Sequence, residues 1–182
     1  WKAGFEACLN NAHLGHQLSG LVFKREGLYE AYLDHGVHNI YPFIFFVAYT
    51  ALKNDVMHMA DSYVHVTQVP QTKKDWGYGD DGLVNDIFDN FKHLGVSVKQ
   101  RAILESHFLS VQKRYLWGTS DVNLCIEKIL SGKNVSYLGR YYIAKQILHE
   151  QCYTGKRLRF RFYLLAQLVL FRQLITGKPI AF

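Results

Sequence analysis

Residues 83–109 read LVNDIFDNFKHLGVSVKQRAILESHFL, and this stretch decides the fold class. Its first apolar residues are spaced three or four apart, as on one face of an α-helix, and Gly95 follows them as a helix-ending residue. Beyond the glycine, Ser97 and Gln100 have the spacing of a capping box at the start of a second helix. That second helix carries its own apolar set: Ile103, Leu104, Phe108, Val111 and Tyr115.

The same helical pattern continues outward in both directions along the chain. Ser136 is placed to cap a helix that begins at Tyr137, and Pro42 suits the first turn of a long helix that reaches about Val66. Only three prolines interrupt the chain, and glycines follow most of the apolar-periodic segments. We therefore predict an all-α fold with seven or eight helices in a single helical domain, residues 1–182, around a central long helix near residues 42–66.

The composition excludes several classes of protein. With 182 residues, 49% of them hydrophobic and 20% charged, the chain is too apolar to be disordered. No apolar stretch approaches the roughly 18 residues that span a bilayer, so we expect no transmembrane segment. Cys8, Cys125 and Cys152 are far apart and lack the spacing of a zinc or redox motif, which favours buried free thiols in a reducing compartment.

The charge of the chain is divided unevenly. The net charge is +6, but residues 128–182 hold ten basic residues and one acidic residue, Glu150, a net charge of +9. Residues 1–127 hold 11 basic and 14 acidic residues, a net charge of −3. The C-terminal third is therefore strongly basic, and tyrosines and phenylalanines are interleaved with its lysines and arginines.

Basic residues close to aromatic rings are typical of surfaces that contact phosphate groups and bases. We predict a binding protein whose C-terminal third docks on a polyanion, nucleic acid first, with an acidic protein surface or a subunit role in a larger assembly as alternatives. The predicted contact residues are Lys133, Arg140, Lys145, Lys156, Arg157, Arg159 and Arg161. Residues 160–171 are strongly apolar, which favours a core helix with a basic rim, and a membrane-surface helix is the alternative.

A second function class rests on the predicted central helix. At about 100° per residue, one polar stripe of that helix spans about 120°. If the helix stays central to its end, this stripe faces inward, and carboxylates and imidazoles inside a helical bundle bind iron, manganese or zinc. The alternative function is thus a metal-dependent enzyme; otherwise no cofactor is expected. The candidate metal ligands are Asp55, His58, Asp61 and His65.

Overall fold

The computed structural model describes residues 1–16, 20–59, 61, 82–111 and 134–149, and positions 164, 167, 168, 171 and 175. These residues contain six α-helices and one 3-10 helix, and no strand occurs among them. The predicted all-α class is confirmed, and the predicted count of seven or eight helices matches roughly. The extent of the domain, residues 1–182, stays a prediction. The helices are α1 Phe5–Asn11, the 3-10 helix Ala12–His16, α2 Leu28–Asp34, α3 Pro42–Lys53, α4 Gly82–Lys92, α5 Val98–Val111 and α6 Tyr137–His149.

The predicted helix starts are confirmed by their hydrogen bonds. At α5 the Ser97 backbone N–H donates to the Gln100 side-chain oxygen at 3.0 Å, and the Gln100 N–H donates to the Ser97 hydroxyl at 3.3 Å. This reciprocal pair is a capping box. At α6 the Gly139 N–H donates to the Ser136 hydroxyl at 3.0 Å. Pro42 lies in the first turn of α3, where its missing N–H costs no hydrogen bond.

The predicted extension of α3 to Val66 is wrong. The helix ends at Lys53, and Asn54 adopts extended backbone angles, with φ −134° and ψ 155°. The N-terminal segment provides the reason, because its backbone groups bond to α3 and to the residues after it. The Gly4 N–H donates to the Ala51 carbonyl at 2.9 Å, and Val56 and Trp1 exchange backbone hydrogen bonds of 2.9 and 2.8 Å.

The hydrophobic core joins all six helices around α3 and α5. α3 packs against α1, the 3-10 helix, α2 and α4, while α5 packs against α4, α1 and, most extensively, α6. Aromatic rings of α4 and α5 meet edge to face, with centroids 6.0 to 6.5 Å apart. The largest fully buried apolar side chains are Phe45, Phe88, Phe91, Phe108, Ile44, Ile87, Leu104, Leu109, Ile143 and Val37.

Gly15 allows the 3-10 helix to lie directly on the first turn of α3. A Cβ at this position would lie 2.5 Å from the Phe43 carbonyl oxygen and 2.6 Å from the Ile44 Cα. Both of these are backbone atoms, which cannot move aside as a side chain does. Within the part of the chain that the structure describes, no helix has the length and apolarity needed to cross a membrane.

Candidate functional site

A buried carboxylate joins α5 to the start of α6. Glu105 is fully buried, and its two oxygens accept the Ser136 backbone N–H at 3.1 Å each. The Ser136 hydroxyl also donates to Glu105 Oε2 at 2.6 Å. Glu105 therefore binds the residue that caps α6, at the helix end where backbone N–H groups favour a negative charge.

Two arginines surround this carboxylate. Arg101, one turn earlier on α5, donates from Nε to Glu105 Oε1 at 2.8 Å and from Nη2 to the Asn134 carbonyl at 2.5 Å. Arg140 is only 3% exposed, and its guanidinium lies 5.5 Å from the centre of the Tyr137 ring. Burial lowers the pKa of Arg140, while the charges of Tyr137 and Glu105 oppose that shift.

Burial raises the pKa of Glu105, and the hydrogen bonds and charges of its partners act in the opposite direction. The pKa rises because no solvent reaches the carboxylate to stabilise its charged form. Gly139 completes the enclosure, because any Cβ there would overlap Glu105 Oε2. The cluster of Glu105, Arg101 and Ser136 therefore fastens the start of α6 to α5 inside the protein.

The structure changes the role of one predicted polyanion contact. Arg140 is predicted to lie on a basic surface, but its side chain is only 3% exposed. It follows Gly139, the residue of α6 that packs directly on Glu105. Lys145 lies on α6, and its side chain is outside the described residues. The other predicted contacts also lie outside them: Lys133, Lys156, Arg157, Arg159 and Arg161.

The predicted metal stripe lacks the helical geometry on which it rested. Asp55 is exposed on the extended segment after α3, where its carboxylate accepts hydrogen bonds from the Lys2 ammonium at 2.7 Å and from the Ala3 N–H at 2.9 Å. These bonds lower the pKa of Asp55, the Lys2 hydrogen bond having the largest effect. His58 is exposed and contacts the Asn11 side-chain oxygen at 2.7 Å from Nε2. Both side chains therefore tie the segment after α3 to the beginning of the chain.

The other two predicted ligands do not restore the stripe. Asp61 is exposed, and His65 lies outside the described residues. Among the residues that the structure describes, no group of three or more histidine, cysteine, aspartate or glutamate side chains is arranged to hold a metal ion. Metal binding stays a prediction from the sequence, without the helical stripe that suggested it.

A polar cluster that sequence reasoning missed links α4 to the loop before α3. Asn90 is fully buried and exchanges side-chain hydrogen bonds of 3.2 and 3.3 Å with Asn39. Asn39 also donates to Asp89 at 3.4 Å, and Asp89 lies 3.4 Å from His93. In the sequence, the signal for this cluster is Asn90, a polar residue that directly precedes the apolar Phe91. Its geometry is that of a structural joint between two segments.

An open groove with aromatic walls lies between α2 and the first half of α3. It has a volume of about 880 Å³. The Phe43 and Phe46 rings meet edge to face with centroids 5.7 Å apart, and Phe23 lies 6.1 Å from Phe46. Charged residues Arg25, Glu26 and Glu30 line the same groove. The described residues of the acidic two-thirds of the chain therefore include a concave surface with aromatic walls.

A second apolar surface lies in the basic third of the chain. Leu164, Leu168, Phe171 and Ile175 are helical and are between 43% and 65% exposed. The sequence favoured a core helix in this region, but these four side chains do not face a core. The helical conformation at these four positions is predictable from the sequence, whereas the exposure of their side chains depends on what packs against them.

Comparison of the chain with protein-family models, curated proteins and solved structures finds no match. Function therefore has to be inferred from the charges, contacts and surfaces described above.

Proposed function

We propose that this is a helical binding protein whose basic C-terminal third docks on a polyanion that carries phosphate groups. The observation that carries this proposal is the charge division, +9 over residues 128–182 against −3 over the rest. A density of ten basic residues to one acidic residue attracts phosphate groups through direct contacts and through release of their counterions.

The arrangement of α6 supports the proposal. Arg140 is buried, and nine basic residues of this third remain for binding or for other contacts. Ser136 holds the start of α6 against α5 through three hydrogen bonds to the Glu105 carboxylate, and Arg101 of α5 adds a hydrogen bond to the Asn134 carbonyl. These bonds fix the start of α6, which belongs to the basic third, to α5, which belongs to the acidic two-thirds of the chain.

The test is the binding of fluorescent single-stranded and duplex nucleic acid, measured by anisotropy over a salt series. We expect the affinity to fall by about 100-fold or more between about 50 and 200 mM salt, as for a protein with several phosphate contacts. Reversing three adjacent charges, Arg157→Glu, Arg159→Glu and Arg161→Glu, should weaken binding by a similar factor at low salt.

The matched control reverses three exposed lysines of the acidic part, Lys24→Glu, Lys92→Glu and Lys99→Glu. This variant has the same net charge as the arginine variant, so a purely global charge effect would weaken binding equally in both. The proposal is wrong if the two variants bind alike, or if the wild-type protein binds neither nucleic acid nor any other phosphate-bearing polyanion.

A further inference from the structure

Four apolar residues of the basic third are helical and exposed. Leu164, Leu168, Phe171 and Ile175 are spaced four, three and four residues apart, and at about 100° per residue this spacing corresponds to one face about 60° wide. Their exposed fractions are 43%, 58%, 63% and 65%. Exposed apolar side chains that recur at helical spacing are typical of a surface that contacts a partner. We call these four residues the apolar stripe.

The charge of the surrounding sequence indicates the kind of surface that the stripe contacts. Residues 151–182 contain six basic residues and no acidic residue. Three of the bases, Arg157, Arg159 and Arg161, precede the stripe closely, and Arg172 lies within its span. An apolar helix face with basic neighbours and no acidic ones is complementary to an anionic lipid surface, where headgroup phosphates meet acyl chains.

Two other occupants fit the stripe less well. Nucleic acid attracts the basic residues, but leucine and isoleucine side chains gain nothing from a phosphate backbone. A second copy is disfavoured by area, since the stripe offers roughly 450 Å² if each side chain has about 200 Å² of surface. Two such faces would bury roughly 900 Å² in total, below the about 1,200 Å² typical of the smaller stable interfaces.

We infer that the apolar stripe and its basic neighbours dock on an anionic membrane surface, with the four side chains inserted between the headgroups. This inference rests on the proposed function, because it names the polyanion that the basic third contacts. The basic residues supply attraction to the headgroups, and the stripe adds apolar burial that a soluble polyanion does not provide.

The test is co-sedimentation of the full chain with phosphatidylcholine vesicles, with and without phosphatidylserine. We expect the wild-type protein to bind only the vesicles that contain phosphatidylserine. Replacing two stripe residues, Leu168→Gln and Phe171→Gln, should weaken that binding about tenfold or more, because two apolar side chains no longer leave water. The same variant should bind nucleic acid as the wild type does, since its charge is unchanged.

The matched control is Val22→Gln with Met57→Gln, two apolar residues that are 82% and 81% exposed in other segments. This variant should bind phosphatidylserine vesicles like the wild type. Insertion has its own readout: in a Phe171→Trp variant, brominated acyl chains should quench the added tryptophan fluorescence beyond the quenching seen in the wild-type protein.

The outcomes separate this inference from the proposal on which it rests. Binding to nucleic acid without binding to phosphatidylserine vesicles overturns the membrane inference and leaves the proposed function standing. Binding to neither overturns both. Unchanged vesicle binding by the stripe variant, or absence of added quenching at position 171, overturns the role of the stripe. A dimer that the stripe variant converts to monomer, without vesicle binding, assigns the stripe to a second copy and overturns the inference.

Discussion

At the scale of the residue, Gly139 and Glu105 depend on each other. The α6 backbone lies so close to the buried carboxylate that a Cβ at position 139 would overlap Glu105 Oε2. Glu105 cannot retreat easily, because Arg101 and Ser136 hold both of its oxygens. The close packing of α6 on the buried Glu105 carboxylate of α5 therefore requires glycine at position 139.

We predict that Gly139→Ala destabilises the protein by about 1–3 kcal/mol, as overpacking of a filled site does. In an open helix the same change would stabilise by about 1 kcal/mol, so the sign of the effect is diagnostic. Urea unfolding measures the change. In a Glu105→Ala background the overlap with the carboxylate disappears and only the close contact with the Ser136 hydroxyl, 2.8 Å, remains, so the glycine substitution should cost less. Equal costs in the two backgrounds would contradict the prediction.

Cys8 shows the effect of burial on a single thiol. Its side chain is fully buried in the core, and burial raises its pKa to about 12. The thiolate is the reactive form, so this thiol should be inert in the folded protein. In a Cys125→Ser/Cys152→Ser variant, a disulfide reagent at mildly alkaline pH should react with Cys8 only after denaturant is added. Complete reaction under native conditions would show that the thiol is accessible.

At the scale of the element, the two serine residues that cap α5 and α6 have different roles. Ser97 caps α5 at an exposed position through its pair with Gln100. Ser136 caps α6 and in addition donates its hydroxyl to the buried Glu105 carboxylate. The first serine satisfies one helix end, whereas the second also joins two helices.

We predict that Ser97→Ala costs about 1 kcal/mol, the usual value of an N-cap. Ser136→Ala should cost about 2–4 kcal/mol, because a buried charged acceptor loses a hydrogen bond as well. Each free energy of unfolding is obtained from urea titration, and Ser97→Ala serves as the matched control for the capping effect. Equal losses would show that the bond to Glu105 contributes nothing beyond the cap.

At the scale of the whole molecule, one histidine on α5 links stability to pH. His107 is half-buried, its ring centroid lies 6.2 Å from that of His13 on the 3-10 helix, and burial lowers its pKa below the usual 6.5. The unfolded chain therefore binds the proton more readily than the folded one. The stabilising contribution is complete above about pH 6.5 and is lost as the pH falls through the lower pKa of the folded state.

We predict that the free energy of unfolding falls between about pH 7 and pH 5, and that His107→Gln reduces this fall. The control is His38→Gln, at an exposed histidine. Thermal unfolding at several pH values provides the measurement. If the two variants show the same pH dependence, His107 is not a source of the acid sensitivity.

Much of the helical framework could be predicted because its signals are local. Ser97 with Gln100, Ser136, Pro42 and the apolar spacing before Gly95 each act within one or two helical turns, so periodicity and capping rules identify them. Two premises of the site predictions extended a local pattern too far. The proposed metal stripe assumed that α3 continued past Lys53, and the basic surface assumed that every arginine on it faced solvent.

The sequence by itself determined the all-α class, the helix starts and the division of charge between the two parts of the chain, since these follow from residue order alone. Only the tertiary structure decided that α3 ends at Lys53, that Arg140 is buried and that the apolar stripe is exposed. The end of α3 depends on contacts between distant segments, because residues 1–4 bond to residues 51–56. The position of α6 depends likewise on the hydrogen bonds that Glu105 of α5 accepts from Ser136. Such contacts compete with local preferences, and a residue's neighbours along the chain do not reveal which of the two prevails.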